Sequence, residues 1–324
     1  MSRPVLTALL SLLSLTVFQP FSASAQVGAL LSDLLKQRPF LTFKQNGHVL
    51  TGPGGVRLET TLRGRYLEAA TLTLPTPAPA TSAAAVAAPY ISALLGSDVS
   101  TPLASYLARE DVKAHLPQGL TVNAEPYDLF MASDAGGLRF RVSLKQVSGF
   151  AGVPASRTLG KASAPIVVRL YSDFQCPYCR KAELEAIPAV LRQLGPDVRF
   201  EFHHLPLEGL HPNARSAAEA SVCAEQQGKF WPFKDALFRR TDWQELNNPA
   251  SIYAAVAAQV GLNLASYGKC ASGRVGRAEV DAGLAEAGRL HLNGTPSVFV
   301  NGYPLSDPYD PASYLRLISF VRGK

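Results

Sequence analysis

Two cysteines separated by two residues constrain this chain more than any other feature. The run Cys176-Pro177-Tyr178-Cys179 follows β-branched, apolar residues 166–171 and precedes a helical pattern that begins at Arg180. A Cys-x-x-Cys pair between a strand and a helix places the first sulfur over the free amide groups of the helix N-terminus, which stabilise a thiolate. Thiols in such positions have pKa values of about 3.5–7.5, compared with about 8.5 for a free cysteine. The pattern therefore predicts thiol–disulfide exchange chemistry.

The first 25 residues have the three parts of a Sec signal peptide. Met1-Ser2-Arg3 is basic, residues 5–18 are almost wholly apolar, and Ala23-Ser24-Ala25 forms a small-residue cleavage site before Gln26. The apolar run is short for a helix that spans a bilayer, and no cysteine follows it for lipid attachment. We therefore expect a soluble, exported protein of the periplasm or cell envelope, where disulfides persist.

The composition favours a folded protein without a nucleic-acid role. Hydrophobic residues make up 47% of the chain, which supports true cores rather than disorder. The formal net charge is +6, but the basic residues are scattered and form no block that would bind a nucleic acid. Only four cysteines occur, too few for a small scaffold held together by disulfides.

A stretch rich in Gly, Pro and Ser, residues 148–159, predicts a linker between two domains. Residues 26–147 predict a separate α+β domain whose role the residues do not reveal. In it, Asn46-Gly47 between residues 40–43 and 48–50 predicts a hairpin. We expect further strands at residues 56–62, 66–74, 120–132 and 138–147, an exposed loop at 75–88, and short helices at 89–95 and 104–115.

The pattern after the linker is a β–α–β unit followed by a helical region. A helix from the cysteines to about Leu194 ends at Gly195-Pro196, and a parallel strand is expected at residues 198–205. Residues 211–290 predict roughly four helices. Gly294-Thr295-Pro296 then precedes a predicted strand at residues 297–300, and residues 313–321 predict a last amphipathic helix.

Together these motifs resemble the DsbA-like branch of the thioredoxin superfamily over residues 160–324. The stretches that carry the resemblance are Ala164-Pro165-Ile166-Val167, Ser172-Asp173-Phe174-Gln175-Cys176-Pro177-Tyr178-Cys179, Gln227-Gly228-Lys229-Phe230-Trp231 and Gly294-Thr295-Pro296-Ser297-Val298-Phe299-Val300-Asn301-Gly302. The resemblance implies an α/β thioredoxin-like fold with a helical insertion at residues 211–290, preceded by the separate α+β domain.

The resemblance also implies roles for individual residues. Cys176 matches the exposed nucleophile, Cys179 matches the resolving cysteine, and Pro177-Tyr178 is the active-site dipeptide between them. Thr295-Pro296 matches the loop whose proline is cis and faces the disulfide. Since proline has no N–H, it leaves no unpaired donor in the site.

The route of the proton lost by Cys179 is a point of departure from the family pattern. Thioredoxins carry a buried acid six residues before the nucleophile, where this chain has Leu170. Glu183 matches a family glutamate near the buried thiol, and it or Asp173 is a candidate for the relay. The alternative for Glu183 is a solvated carboxylate near the helix N-terminus.

A zinc site is the alternative interpretation of the cysteine pair, since the spacing suits thiolate ligation. His203-His204 or His211 would then supply the remaining ligands. The proline inside the pair, the preceding strand and the Gly-Thr-Pro loop all favour exchange, so we expect no metal. We expect His203 and His204 to alternate across their strand, one packed and one solvated.

The pairing of the other two cysteines is not fixed by the sequence, because four cysteines allow three pairings. If Cys176 and Cys179 cycle as the resemblance implies, Cys223 and Cys270 remain for a structural disulfide, which some DsbA-like members have in this region. Two free buried thiols are the alternative.

The expected function is disulfide donation to exported proteins by dithiol–disulfide exchange at Cys176 and Cys179. A disulfide isomerase or reductase, with residues 26–147 for dimerisation or client binding, is the alternative within the same chemistry. A chaperone-like binding protein that retains a redox fold is an alternative of another class. We expect no cofactor besides the redox-active disulfide. The expected partners are cysteine-containing clients and a membrane protein that re-oxidises or re-reduces the site.

Overall fold

The structure, a computed structural model, describes residues 28–75 and 80–323. The predicted signal peptide at residues 1–25 lies outside them. None of the helices formed by the described residues combines the length and the apolar character needed to cross a bilayer. The chain divides into two compact units, Met1–Lys145 with Ser319–Lys324, and Gln146–Ile318.

The described part of the first unit contains an antiparallel sheet of seven strands with helices beside it. The strands are β1 (Lys44–Asn46), β2 (Val49–Thr51), β3 (Arg57–Arg63), β4 (Tyr66–Leu74), β5 (Leu120–Ala124), β6 (Tyr127–Asp134) and β7 (Gly137–Leu144), in the order β1-β2-β3-β4-β7-β6-β5. The α-helices are α1 (Leu31–Leu34), α2 (Ala80–Leu95), α3 (Ser100–Ala108) and α4 (Glu110–His115). The strands alternate as a half-buried sheet requires: Leu58 is buried between exposed Arg57 and Glu59. The predicted α+β class is confirmed.

The longest helix of this unit lies where a loop was expected. Helix α2 begins at Ala80 and includes Pro89, whereas the sequence pattern predicts a helix that starts at Pro89. Alanine has the highest helix propensity, and Ala84 and Ala87 are buried in the core. The alanines therefore extend the helix back by more than two turns, and their packing outweighs the cost of the proline inside it.

Other differences arise at short breaks. Phe40 ends a 3₁₀ turn (Arg38–Phe40), so the first hairpin begins at Lys44 rather than at residue 40. The helix expected at residues 104–115 is broken at Arg109, whose backbone is extended. The strand expected at residues 120–132 turns at Glu125-Pro126, a cis peptide, and so becomes β5 and β6.

The second unit, whose residues are all described, has a five-stranded mixed sheet at its centre. Its strands are β8 (Thr158–Leu159), β9 (Ile166–Ser172), β10 (Val198–His204), β11 (Ser297–Val300) and β12 (Tyr303–Pro304), in the order β12-β11-β9-β10-β8. Strands β9 and β10 are parallel, with Ile166 opposite Val198, and β11 is antiparallel to β9. A helical segment connects β9 to β10 through α5 (Pro177–Lys181), a π turn (Ala182–Ala186) and α6 (Ile187–Leu191). This topology confirms the thioredoxin-like fold.

The helical insertion lies between β10 and β11. It consists of α7 (Ala214–Glu225), α8 (Phe230–Phe238), α9 (Ala250–Gln259), α10 (Leu264–Ser272) and α11 (Arg277–Arg289), and the last helix of the chain is α12 (Pro311–Arg322). This part of the chain is described without gaps, so the insertion has one helix more than the sequence predicts.

The predicted linker at residues 148–159 is partly built into the second unit. Thr158 and Leu159 form the edge strand β8 and pair with β10. Arg157 is buried, with its Nε 3.2 Å from Glu225 Oε2 and a further ion pair with Glu279. A buried guanidinium requires such carboxylate partners, so the expectation of an exposed linker is wrong for residues 157–159.

Candidate active site

The two cysteines lie where strand β9 gives way to helix α5. Cys176 is the residue before the first helical turn, and Pro177 is the first helical residue, a position in which proline costs no hydrogen bond. The carbonyl of Cys176 accepts the N–H of Arg180 at 3.0 Å, so the helix begins directly at the nucleophile. The local sequence therefore fixes the position of Cys176 relative to the sheet.

The two thiols have opposite electrostatic environments. A hydrogen bond from the Cys179 thiol, with further hydrogen bonds from the backbone N–H groups of Cys179 and Tyr178, lowers the pKa of Cys176 from 9.0 to about 6, although burial opposes the shift. Burial raises the pKa of Cys179 well above 9.0, and the neighbouring Cys176 acts in the same direction. Near neutral pH Cys176 is a thiolate, while Cys179 keeps its proton.

The loop before β11 covers the nucleophile. The Thr295–Pro296 peptide is cis, and the sulfur of Cys176 lies 3.5 Å from the Thr295 carbonyl oxygen. Only 3% of Cys176 is exposed, in contrast to the exposed nucleophile that the resemblance implies, whereas Tyr178 beside it is 63% exposed. The loop therefore restricts access to the sulfur but leaves the dipeptide open to solvent.

Comparison with known proteins agrees with this geometry. A family model described as "Thioredoxin" matches residues 153–319, just over half of the chain. The chain belongs to the thioredoxin family. The resemblance inferred from the motifs is thus confirmed at the level of the superfamily.

The curated relatives of this thioredoxin-family chain are much longer than the chain itself, and the similar solved structures have lower sequence identity to it. It is 36% identical over 166 residues to the Na(+)/H(+) antiporter NhaA 1 of Mycolicibacterium vanbaalenii, covering 50% of this chain and 26% of that protein. It is 38% identical over 154 residues to NhaA 3 of Salinispora tropica, covering 47% of this chain and 22% of that protein. The chain therefore spans about a quarter of the length of these curated relatives. Among solved structures, oxidised BdbD from Bacillus subtilis is 21% identical in sequence to this chain, with a TM-score of 0.49. The match covers 54% of this chain and 96% of the BdbD chain.

Glu183 is buried in the thioredoxin-family domain. It lies in the π turn after α5, is 4% exposed and forms an ion pair with Lys234 of α8. Burial raises the pKa of the Glu183 carboxyl, and the ammonium of Lys234 opposes that shift. Burial lowers the pKa of Lys234, but the attraction of Glu183 and Asp235 outweighs it and the net shift is upward. The solvated interpretation of Glu183 is therefore wrong.

Lys234 is the charged residue of this site that the sequence analysis missed. It lies in the otherwise apolar run Phe230-Trp231-Pro232-Phe233-Lys234, and only 3% of it is exposed. A single lysine on the buried face of an apolar helix is a signal for a buried partner of opposite charge. The pattern did not identify which carboxylate that partner is.

Leu170, at the position of the buried acid of thioredoxin, is fully buried in β9. The two candidates for the role of that acid, Asp173 and Glu183, lie in different surroundings. Asp173 is buried in the turn that leads to Cys176. The carboxylate of Asp173 is bound to His211 Nδ1 at 2.7 Å. The N–H of Asp173 lies 3.4 Å from the sulfur of Cys179, so Asp173 is next to a thiol, while Glu183 is paired with Lys234.

No group of three or more His, Cys, Asp or Glu side chains that would hold a metal ion occurs among the described residues. His203 and His204, expected to alternate between core and solvent, are both buried, with 2% and 1% exposed. His203 Nδ1 lies 3.1 Å from Glu286 Oε2 of α11, and the His204 ring contacts those of Phe174 and of Phe230 in α8. The expectation of one solvated histidine is therefore wrong, because helices cover both faces of β10.

Cys223 and Cys270 form a disulfide in the structure, with an S–S distance of 2.03 Å. The bond joins α7 to α10, so it lies within the helical insertion and outside the segment from β9 to α5 that carries Cys176. Cys176 and Cys179 are free thiols.

Proposed function

We propose that the protein is a thiol:disulfide oxidoreductase that acts through Cys176 and Cys179. The observation that carries the proposal is the contrast between the two thiols: Cys176 has a pKa of about 6, while Cys179 is fully buried and protonated. A thiolate is the species that attacks a disulfide. In the reducing direction the second thiol, held beside it, then attacks the mixed disulfide and releases the client. In the oxidising direction the same step runs in reverse, and Cys179 is the thiolate that leaves.

We further propose that the cycle runs toward oxidation of clients. Interactions that stabilise the Cys176 thiolate stabilise the reduced form of the protein, and a stabilised reduced form makes the disulfide a stronger oxidant. Cys176–Cys179 in its disulfide state would then pass its bond to a pair of client thiols and end as the dithiol. No cofactor besides this disulfide takes part in the proposal.

The setting of this reaction is also a proposal. Residues 1–25 have the composition of a Sec signal peptide, so the clients are exported cysteine-containing proteins of the periplasm or envelope. A membrane redox partner would restore the disulfide after each cycle. Residues 26–147 would serve dimerisation or client binding.

The test is the refolding of reduced hirudin and the reduction of insulin by the wild-type protein and by Cys176→Ser. Loss of both activities in the variant supports exchange, and retention of client binding without either activity favours a chaperone-like protein. The redox equilibrium with glutathione decides the direction. An equilibrium in the reducing range would reject the oxidase in favour of a reductase or isomerase.

A further inference from the structure

The backbone of Asp173 contacts both active-site cysteines. Its N–H donates a hydrogen bond to the sulfur of Cys179 at 3.4 Å. Its carbonyl accepts the N–H of Cys176 at 3.3 Å. The position of Asp173 therefore determines a hydrogen bond to the sulfur of Cys179 and a hydrogen bond to the backbone of Cys176.

Three hydrogen bonds to the carboxylate of Asp173 hold the residue in that position. Its Oδ1 accepts the backbone N–H of Gln175 at 2.7 Å, and its Oδ2 accepts the backbone N–H of Leu207 at 2.9 Å. His211 Nδ1 lies 2.7 Å from the same Oδ2 and, since an ionised carboxylate only accepts, is a donor to it. Only 1% of Asp173 is exposed, so water does not compete for these hydrogen bonds.

The three donors come from two parts of the chain. Gln175 belongs to the active-site turn itself, while Leu207 and His211 belong to the segment between β10 and α7. That segment is a turn of its own, in which the N–H of His211 donates to the Leu207 carbonyl at 2.9 Å. The carboxylate thus ties the turn that carries the cysteines to the beginning of the helical insertion.

We propose that Asp173 and His211 form a positioning pair for the resolving step, in which the carboxylate, fixed by His211, holds the Asp173 N–H on the sulfur of Cys179. The inference rests on the proposed exchange function and extends it to a specific step. The N–H donor stabilises the thiolate of Cys179, which attacks the mixed disulfide when the protein reduces a disulfide and is the leaving group when its own disulfide oxidises a client. Neither side chain takes part in bond making.

The resolving step exchanges one sulfur–sulfur bond for another. The mixed disulfide joins Cys176 to a client sulfur; Cys179 loses its proton and its sulfur attacks the sulfur of Cys176. The Cys176–Cys179 bond forms and the Cys176–client bond breaks. The client sulfur leaves with the bonding electron pair and takes up one proton, so that Cys179 is oxidised and the client sulfur is reduced to a thiol.

The experiment follows the reaction of the reduced protein with dithiobis(nitrobenzoate), an aromatic disulfide whose thiolate product is coloured. Attack by Cys176 releases the first thiolate, and attack by Cys179 on the mixed disulfide releases the second. His211→Ala removes the donor to Asp173, whereas His211→Asn keeps an N–H donor at nearly the same place. His48→Ala, at an exposed histidine of the first unit, is the matched control.

We expect His211→Ala to slow the second phase about tenfold, the size of a lost hydrogen bond to a charged group, and to leave the first phase within about twofold. His211→Asn should restore the second phase, and His48→Ala should leave both phases at the wild-type rate. If His211 were merely structural, His211→Ala would slow both phases together. If its imidazole relayed protons, His211→Asn would not restore the second phase. Either result would overturn the proposal, as would an unchanged second phase in His211→Ala.

The same assay, with Cys179→Ser as an additional variant, separates this inference from the proposed function. If the wild-type protein releases no thiolate, exchange at Cys176 itself is wrong and the inference fails with it. If the wild-type protein shows both phases and Cys179→Ser lacks the second, exchange stands. The result for His211→Ala then decides on the positioning pair alone.

Discussion

At the scale of single residues, the thiolate of Cys176 depends first on its partner cysteine. The largest contribution to its lowered pKa is the hydrogen bond from the Cys179 thiol, and the amides of the helix N-terminus come after it. The sequence points to the helix N-terminus as the cause, because strand and helix are visible in the pattern. The thiol donor is not visible, because it depends on the rotamers of two side chains.

Replacing Cys179 should therefore change the acidity of Cys176 according to what the new side chain can donate. In Cys179→Ala the donor is gone, and we expect the pKa of Cys176 to rise from about 6 toward its ordinary value of 9.0. In Cys179→Ser the hydroxyl still donates, and the rise should be smaller. The thiolate absorbance of both variants, titrated from acid to alkaline pH, measures the difference; equal values would show that the helix amides dominate.

The lowered pKa also makes the stability of the reduced protein depend on pH. Between about 6 and 9.0 the unfolded chain keeps the Cys176 proton and the folded chain does not, so stability rises with pH across this window. The contribution is fully present above the upper value and is lost as the pH falls through about 6. Urea unfolding of reduced wild type and Cys176→Ser at several pH values measures it. A stability difference between the two proteins that does not vary with pH would contradict a stabilised thiolate at Cys176.

The buried pair of Glu183 and Lys234 gives a third prediction at this scale. Lys234→Met leaves the Glu183 carboxylate buried without its partner, which should lower the free energy of unfolding by about 3–5 kcal/mol. The double variant Glu183→Gln, Lys234→Met removes both charges and should lose less than the single variant. Urea unfolding of wild type, Lys234→Met, Glu183→Gln and the double variant completes a double-mutant cycle. Additive losses would mean that the two side chains do not interact.

At the scale of secondary-structure elements, the Cys223–Cys270 disulfide cross-links two helices of the insertion, α7 and α10. The bond spans a sequence separation of 47 residues. By the chain-entropy estimate, closing a loop of that length stabilises the folded state by about 4 kcal/mol. Neither residue belongs to the segment from β9 to α5 that carries Cys176.

Replacing both cysteines by alanine should therefore lower the free energy of unfolding by up to about 4 kcal/mol and leave the thiolate titration of Cys176 unchanged. Peptide mapping of the protein isolated without reductant should show the two cysteines linked. Free thiols at both positions would reject the structural disulfide. A changed titration would show that the bond acts on the active site.

The elements around the cysteines were predictable because each has a strong local signal. The strands β9 and β11 are β-branched runs, and Pro177 and Gly195 mark the limits of the helical segment between β9 and β10. Helix α2 was not predictable in its length, because proline within it is a local signal against a helix that only packing overrides. The burial of His204 and the pairing of Lys234 with Glu183 depend on which elements lie on each other, and a single sequence does not show this.

At the scale of the whole molecule, the second unit begins earlier than the composition suggests. Gln146 is its first residue, and the N–H of Val147 donates to the Gly302 carbonyl at 2.8 Å. Gly302 has φ +88 and a Cβ there would meet the Val147 carbonyl, so the close approach requires glycine. Residues 146–159 are thus part of the unit that carries the chemistry.

A fragment of residues 146–324 should accordingly be more stable than one of residues 160–324. The shorter fragment loses β8 and leaves Glu225 without Arg157, and we expect its free energy of unfolding to be lower by about 3–5 kcal/mol. Urea unfolding of the two fragments measures the difference, and Arg157→Met in the longer fragment should reproduce much of it. Equal stabilities would return residues 148–159 to the role of a passive linker.

The π turn at Ala182–Ala186 has a consequence for which sequence changes this chain tolerates. A π turn holds one residue more than an α turn, so the number of residues in this segment matters as well as their identity. Losing one residue of this turn would let the helix close as a regular α-helix, and the residues that follow would keep nearly the same orientation, because the wide turn absorbs the extra residue. Ile187 and Val190, both buried, would then keep their contacts. In a library of variants, single-codon deletions at the exposed Glu185 should thus be accepted more often than single-codon deletions in α6.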